Sequence, residues 1–277
     1  MEFFLSIKYT QIVQTLPSSV PFVGPEAQER RLGKNFEARI GANESVFGAS
    51  PKAVLAMMDE IGQAWKYGDP ESFDLKHALA KKHNVAFENI IVGEGIDGLL
   101  GYLVRLFIEQ GDNVVTTDGA YPTFNYHVEG FGGQLHKVPF KEDTEDLDNL
   151  LNKVRETKAK MLYVSNPNNP MGTLNSVNDI NNLIEYLPTE TLLCLDEAYI
   201  DFVPTELIPE ISINKSNVIR MRTFSKAYGM AGARVGYGIA AKDLILNFEK
   251  VRNHSVSYTH LRAHETLMNL VCRLLLE

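Results

Sequence analysis

The sequence predicts an α/β fold, a three-layer α/β/α sandwich around a mainly parallel sheet. Three observations carry this expectation: short apolar runs recur along the chain, turn residues bound each of them, and segments of helical periodicity separate them. NIIVGEG leads into DGLLGYLVRLFIEQ, VVTTD into the helical YPTFNYHVEGF, and QLHKVPF into DLDNLLNKVRE. The pattern continues with MLYVSN, a helix over about 176–186, TLLCLDEAY, VIRMRTFSK and GYGIAA, before a last helical stretch begins near Asp243. No internal repeat or low-complexity tract interrupts it. Residues 1–35 differ: their periodicity is weak and they hold several prolines, so they are expected to be an amino-terminal arm lying on another surface.

The bulk properties narrow the function. A chain of 277 residues that is 44% hydrophobic can bury a large core and form one large domain with a small second one. Its formal charge of -8 is spread without an acidic tail or basic block, which argues against nucleic acid or an anionic membrane as partner and for small-molecule chemistry. No run nears the roughly 18 apolar residues of a membrane span, and the first residues lack the basic region and cleavage site of a signal peptide, so a cytoplasmic location is expected. Cys194 and Cys272 have neither disulfide-framework nor metal-ligand spacing and are read as reduced thiols.

In sheets of this kind ligands gather at the carboxyl ends of the strands, so polar residues just beyond each strand are the functional candidates. The richest such segment is TFSKAYGMAGARVGY, residues 223–237. Thr223, Ser225 and Arg234 supply two hydroxyls and a guanidinium suited to one phosphate. Lys226 beside them points to an imine-forming cofactor rather than to the surface lysine it would be in isolation. A nucleotide P-loop is excluded because the pattern GxxxxGK followed by Ser or Thr does not occur. In VGEGIDGLL, strand NIIV passes through Gly93 and Gly95 into a helix opened by Asp97, whose first amides can bind an anion; alone this is an ordinary strand-to-helix turn. The turn formers of SNPNNPMG make a rigid loop that can aim the Asn169 amide. In LCLDEAYIDF, Asp196 and Glu197 end an apolar strand and Tyr199 follows. With pyridoxal phosphate bound, a carboxylate facing the ring nitrogen keeps it protonated, and Asp196 fits that role.

Taken in order and spacing, GxGxD, NPNNPxG, DEAYxDF and RTFSKAxGxAGxRxGY resemble the fold type I, class I/II pyridoxal-phosphate-dependent aminotransferases, nearest their histidinol-phosphate-aminotransferase branch, over Phe36–His254. The resemblance implies an aspartate aminotransferase-like large domain over 36–254. It implies that Lys226 carries pyridoxal 5'-phosphate covalently, that Asp196 pairs with the ring nitrogen, and that Asn169 and Tyr199 bond the ring hydroxyl. Gly95, Ile96, Asp97, Thr223, Ser225 and Arg234 would hold the phosphate, and Tyr121, in DGAYPTF, would stack on the ring. Tyr67, in WKYGDPE, resembles the tyrosine that reaches a neighbouring subunit's phosphate, which implies a homodimer. Asn43 and Glu44, in ARIGANESVFGASP, would stand at the substrate entrance.

The activity so implied is transamination in amino-acid biosynthesis, between an amino acid or histidinol-phosphate-like amine and a 2-oxo acid, with Lys226 as the proton shuttle. Lyases and decarboxylases share this fold and lysine, and a truncated non-catalytic cofactor-binding fragment is the third reading. Two departures bear on the choice. Met171 replaces the threonine more usual after NP, and residues 255–277, SVSYTHLRAHETLMNLVCRLLLE, look like a translated sequencing-adapter tail in place of the small domain and its carboxylate-binding arginine. The small domain is therefore expected to be largely absent and the chain catalytically impaired. His260 and His264 lack a third partner, so no metal is expected. His77, His83, His127 and His136 are read as structural, and most of Phe124, Tyr126 and Phe131 as core.

Overall fold

The computed structural model describes residues 7–17 and 23–253. Seven strands form one sheet: β1 (Ile90–Gly93), β2 (Asn113–Thr117), β3 (Gln134–Val138), β4 (Met161–Ser165), β5 (Leu192–Asp196), β6 (Val218–Thr223) and β7 (Gly236–Ala240), in the spatial order β1-β7-β6-β5-β4-β2-β3. The pairs from β3 through β6 are parallel, and β7 runs antiparallel to both β6 and β1. The sheet is thus mainly parallel, as the alternation predicts.

Nine helices accompany it among the described residues: α1 (Gln11–Thr15), α2 (Pro25–Leu32), α3 (Pro51–Glu60), α4 (Phe73–His83), α5 (Gly95–Phe107), α6 (Pro122–Gly130), α7 (Leu147–Thr157), α8 (Val177–Tyr186) and α9 (Lys242–Phe248). Their starts follow local chemistry. Asp146 accepts the Asn149 amide to cap α7, while Ser176 and Asp179 form a reciprocal capping box at α8.

Both faces of the sheet are apolar because both are covered, and the period of two along each strand divides the core. On one side Met161, Tyr163, Leu192 and Cys194 pack with Leu99, Leu103, Phe124 and Phe248 of α5, α6 and α9. On the other, Leu162, Val164, Leu193 and Leu195 meet Leu150, Val154, Ile180 and Leu183 of α7 and α8. Beyond these, Ile90, Val92, Tyr237 and Ile239 pack against Leu75 and Leu79 of α4. This is the expected three-layer arrangement.

Two details differ from the sequence reading. Helix α5 opens at Gly95, ahead of Asp97, because a positive φ of 76° at Gly95 turns the chain directly from β1 into the helix. Phe124 is fully buried, but Tyr126 and Phe131 are 41% and 38% exposed, since α6 covers the sheet with a single face. Within the arm, Ile12 of α1 lies against Gly132 of this same chain. Cys194 is a buried free thiol. Among the described residues no helix is long and apolar enough to cross a membrane, and no cluster of three or more His, Cys, Asp or Glu is placed to hold a metal. Residues 254–277, with the expected tail, His260, His264 and Cys272, lie outside the described residues.

Candidate cofactor site

The parallel strands β4, β5 and β6 end side by side, with Ser165 paired to Asp196 and Asp196 to Met221. This register brings the loops carrying Asn169, Asp196 and Lys226 to one edge of the sheet, where the switch-point rule places a ligand.

An anion cradle lies at the end of β6. Thr223 Oγ1 is 3.0 Å from Ser225 Oγ and accepts the Ser225 amide at 3.1 Å, while Arg234 Nη1 donates to Ser225 Oγ at 3.3 Å. The amino end of α5 meets the same cluster. A Cβ on Gly95 would stand 2.5 Å from Arg234 Nη2, and one on Gly236 would fall 2.6–2.7 Å from the Gly95 carbonyl carbon and the Ile96 amide nitrogen. Glycine at both positions is what lets guanidinium, hydroxyls and first-turn amides converge. Asp97 contributes its place in that turn, while its carboxylate pairs with His127 Nε2 at 2.8 Å.

Lys226 follows this cradle. Its Nζ donates to the carbonyl oxygens of Ala42 and Asn43 at 3.3 and 3.4 Å, and lies 5.6 Å from the Tyr199 ring centroid. Segment 42–49 comes so near because Gly229, at φ 64°, closes the turn after Lys226 directly on the Gly48 backbone, where a Cβ would lie 2.1 Å from the Gly48 oxygen. Asn43 Nδ2 in turn donates to the Tyr199 hydroxyl at 2.8 Å. Partial burial and then the Arg234 guanidinium lower the Lys226 pKa, opposed by Asp196 and Glu44. The ammonium form is thereby weakened, as a lysine that must act neutral requires.

Asp196 is buried at the end of β5. Its Oδ2 accepts the Tyr163 hydroxyl at 2.6 Å and its Oδ1 the Ala198 amide at 2.9 Å. Burial raises its pKa, and the Tyr163 bond, the Ala198 amide and Lys226 oppose that rise. Glu197 points to the other side, bridging the buried Arg220 Nη1 and Arg222 Nε at 2.7 Å each. This ion triad ties the end of β5 to β6.

The loop after β4 is secured from below by Glu145, which is 3% exposed. Its Oε1 accepts both the Ser165 amide at 3.2 Å and Asn168 Nδ2 at 2.6 Å, and its Oε2 is buried without a partner. Burial pushes the carboxyl up to about 8, so it carries a proton at neutral pH. Asn168 closes the turn by accepting the Met171 and Gly172 amides at 3.1 and 3.0 Å. Asn169, half-buried beside it, makes no side-chain hydrogen bond among the described residues.

Of the other expected site residues, Tyr121 stands 36% exposed near Tyr199, whose hydroxyl pKa is raised by burial first and to a smaller degree by Tyr121. Glu44 is turned toward Arg39, which it holds at 3.0–3.1 Å. Tyr67 is 90% exposed and, among the described residues, joins no part of the cluster. Sequence reasoning passed over Tyr163, Glu145, Gly229 and Gly236. Of these only Gly229 and Gly236, inside the Lys226 segment, left a local signal. The four histidines all have partners: His77 the Phe73 carbonyl, His83 the Tyr237 hydroxyl, His127 Asp97 and His136 Asn113.

These residues fit a phosphorylated aromatic cofactor: a cradle that a Cβ would fill, a lysine with weakened charge, and a fixed buried carboxylate. Known proteins agree. The family model for aminotransferase class I and II matches residues 38–266, running past His254. A histidinol-phosphate aminotransferase of Moorella thermoacetica is 34% identical over 249 residues, covering 88% of this chain and 64% of that protein. One of Desulfotalea psychrophila is 31% identical, covering 91% and 68%. The chain therefore spans about two thirds of the length of these relatives. Among solved structures, histidinol-phosphate aminotransferase from Sinorhizobium meliloti, in complex with pyridoxal-5'-phosphate, superposes with a TM-score of 0.91 at 47% identity, covering 97% of this chain and 73% of that one. A Thermus thermophilus aspartate aminotransferase, at 23% identity and a TM-score of 0.78, shares the fold. With the family model matched over residues 38–266 and a relative 31% identical over more than two thirds of its length, the chain belongs to the class I and II aminotransferase family.

Proposed function

We propose that this chain binds pyridoxal 5'-phosphate at Lys226 and transfers an amino group between an amino acid or histidinol-phosphate-like amine and a 2-oxo acid. The observation that carries the reading is that Lys226 follows directly on the hydroxyl and guanidinium cradle at the end of β6, with the buried Asp196 at the end of the neighbouring β5.

When bound, the cofactor supplies an electron sink that stabilises negative charge at the substrate carbon. The chain supplies the rest. Thr223, Ser225, Arg234 and the first-turn amides of Gly95, Ile96 and Asp97 would take the phosphate, whose charge suits a guanidinium and a helix amino end. Asp196 would face the ring nitrogen and favour its protonated form, Tyr199 and Asn169 would bond the ring hydroxyl, and Tyr121 would cover the ring. Lys226 would move the proton at the substrate carbon, a task served by its lowered pKa. Asn43, anchored on Tyr199, borders the substrate entrance with Glu44.

The reading extends to a cytoplasmic homodimer. Tyr67 is 90% exposed, and Trp65, two residues before it, and Phe47 are exposed as well, apolar surface that a second subunit would cover, and from there Tyr67 would reach the partner's phosphate. Residues 36–254 form the cofactor-binding unit in this reading, with 1–35 as the arm.

Borohydride reduction in the presence of pyridoxal phosphate tests the assignment. The reduced adduct is expected on the peptide containing Lys226 and is expected to vanish in Lys226→Ala. Mapping of the adduct to any other lysine overturns it.

A further inference from the structure

Tyr163 lies in the middle of β4, outside every motif that marks the site, and is fully buried. Its ring stacks on Phe124 with centroids 4.4 Å apart and planes at 12°, which leaves the phenol little freedom to turn. From that fixed ring the hydroxyl reaches Asp196 Oδ2 at 2.6 Å, while the Ala198 amide holds Oδ1 at 2.9 Å. A carboxylate held on both oxygens by donors from two different segments cannot rotate about its terminal bond without breaking one of them. We propose that Tyr163 is a positioning residue for the cofactor chemistry, fixing the plane of the Asp196 carboxylate and keeping it charged toward the ring nitrogen.

Several groups act on Asp196. Burial and Glu197 oppose its charge, whereas the Tyr163 bond, the Ala198 amide and Lys226 favour it, with the phenol foremost among the favouring groups. Tyr163 is suited to remain a donor, because burial and the adjacent Asp196 push its own ionisation well above the usual value. Lys226 is an unreliable partner by comparison, since its charge is lost when it reacts. A neutral hydroxyl gives Asp196 support that does not vary through turnover. Without it, a proton shared between Asp196 and the ring nitrogen moves toward the carboxylate, and the ring loses the positive charge that makes it an electron sink.

The inference rests on the proposed cofactor reading, and Tyr163→Phe in the full chain tests it with two measurements. The substitution keeps the stack on Phe124 and removes one oxygen. In the cofactor-free protein labelled at aspartate side-chain carbons, the Asp196 titration midpoint is expected to rise by about one to two pH units, the worth of a hydrogen bond to a charged group. In protein loaded with ring-nitrogen-15-labelled pyridoxal phosphate, the nitrogen resonance is expected to move toward its unprotonated position. Site-specific 3-fluorotyrosine at 163, a stronger donor of the same shape, is expected to move both readouts the opposite way, and it serves if the phenylalanine variant does not fold. Unchanged midpoint and resonance, with only a loss of thermal stability, would reduce Tyr163 to packing and overturn the inference alone. Wild-type protein that takes up no cofactor overturns it together with the functional reading.

Discussion

Glu145→Gln is expected to make the protein less sensitive to alkaline pH, and the size of the effect follows from the hydrogen bonds. Both donors to Glu145 converge on Oε1, and Oε2 is buried without a partner among the described residues, which leaves it as the oxygen to take a proton. Glutamine has the same shape as that protonated acid and offers one acceptor oxygen to the same two donors. The carboxyl titrates near 4.5 when unfolded and near 8 in the fold, raised by burial first. A raised folded-state pKa means stability that is fully present below the unfolded value and lost as pH rises through the folded one. At about 1.4 kcal/mol per pH unit, the loss between those two values is on the order of 5 kcal/mol, an upper bound because water entering the loop would relax it. Glutamine does not titrate. Urea unfolding at intervals from pH 4 to 9 should therefore show the two proteins nearly equal at the acid end and the variant gaining on wild type by most of that loss toward pH 8. The pH dependence contributed by Asp196, also raised, is common to both and largely cancels in the difference. Parallel stability profiles for the two proteins would refute the reasoning.

Two further outcomes are expected. Glu197→Gln leaves the buried Arg220 and Arg222 without their shared carboxylate and should cost about 3–5 kcal/mol in urea unfolding, as breaking a buried ion pair does; a loss under about 1 kcal/mol, within the range of exposed ion pairs, would show the triad to be water-accessible. Gly95→Ala places a methyl at a φ of 76° and 2.5 Å from Arg234 Nη2, so the guanidinium must leave the cradle. Pyridoxal-phosphate affinity, read by absorbance titration, should fall by about tenfold or more, the worth of one charge-assisted bond, and unchanged affinity would remove Arg234 from the phosphate.

The sequence by itself determined the layer order of the fold and the polar residues at its strand ends. Apolar runs with a period of two and helices with a period of 3.6 are local properties, so the sheet, its helical faces and the loops holding Asn169, Asp196 and Lys226 could be read in order. The phosphate cradle was legible for the same reason, since Thr223, Ser225 and Arg234 occupy one segment, although Gly95 reaches it from another. What lay out of reach was who stands beside whom across the sheet. Tyr163 meets Asp196 because β4 and β5 are neighbours in register, and Glu145 supports Asn168 because the chain before α7 passes under the loop after β4. Gly229 touches Gly48, drawing Asn43 over Lys226, although most of the domain separates them in sequence. Tyr126 and Phe131 failed as core residues because helical spacing marks a face without saying how much of it the sheet will cover. Such contacts depend on strand order and on the close packing of whole layers, which many sequences of the same periodicity would satisfy differently, so only the tertiary structure decides them.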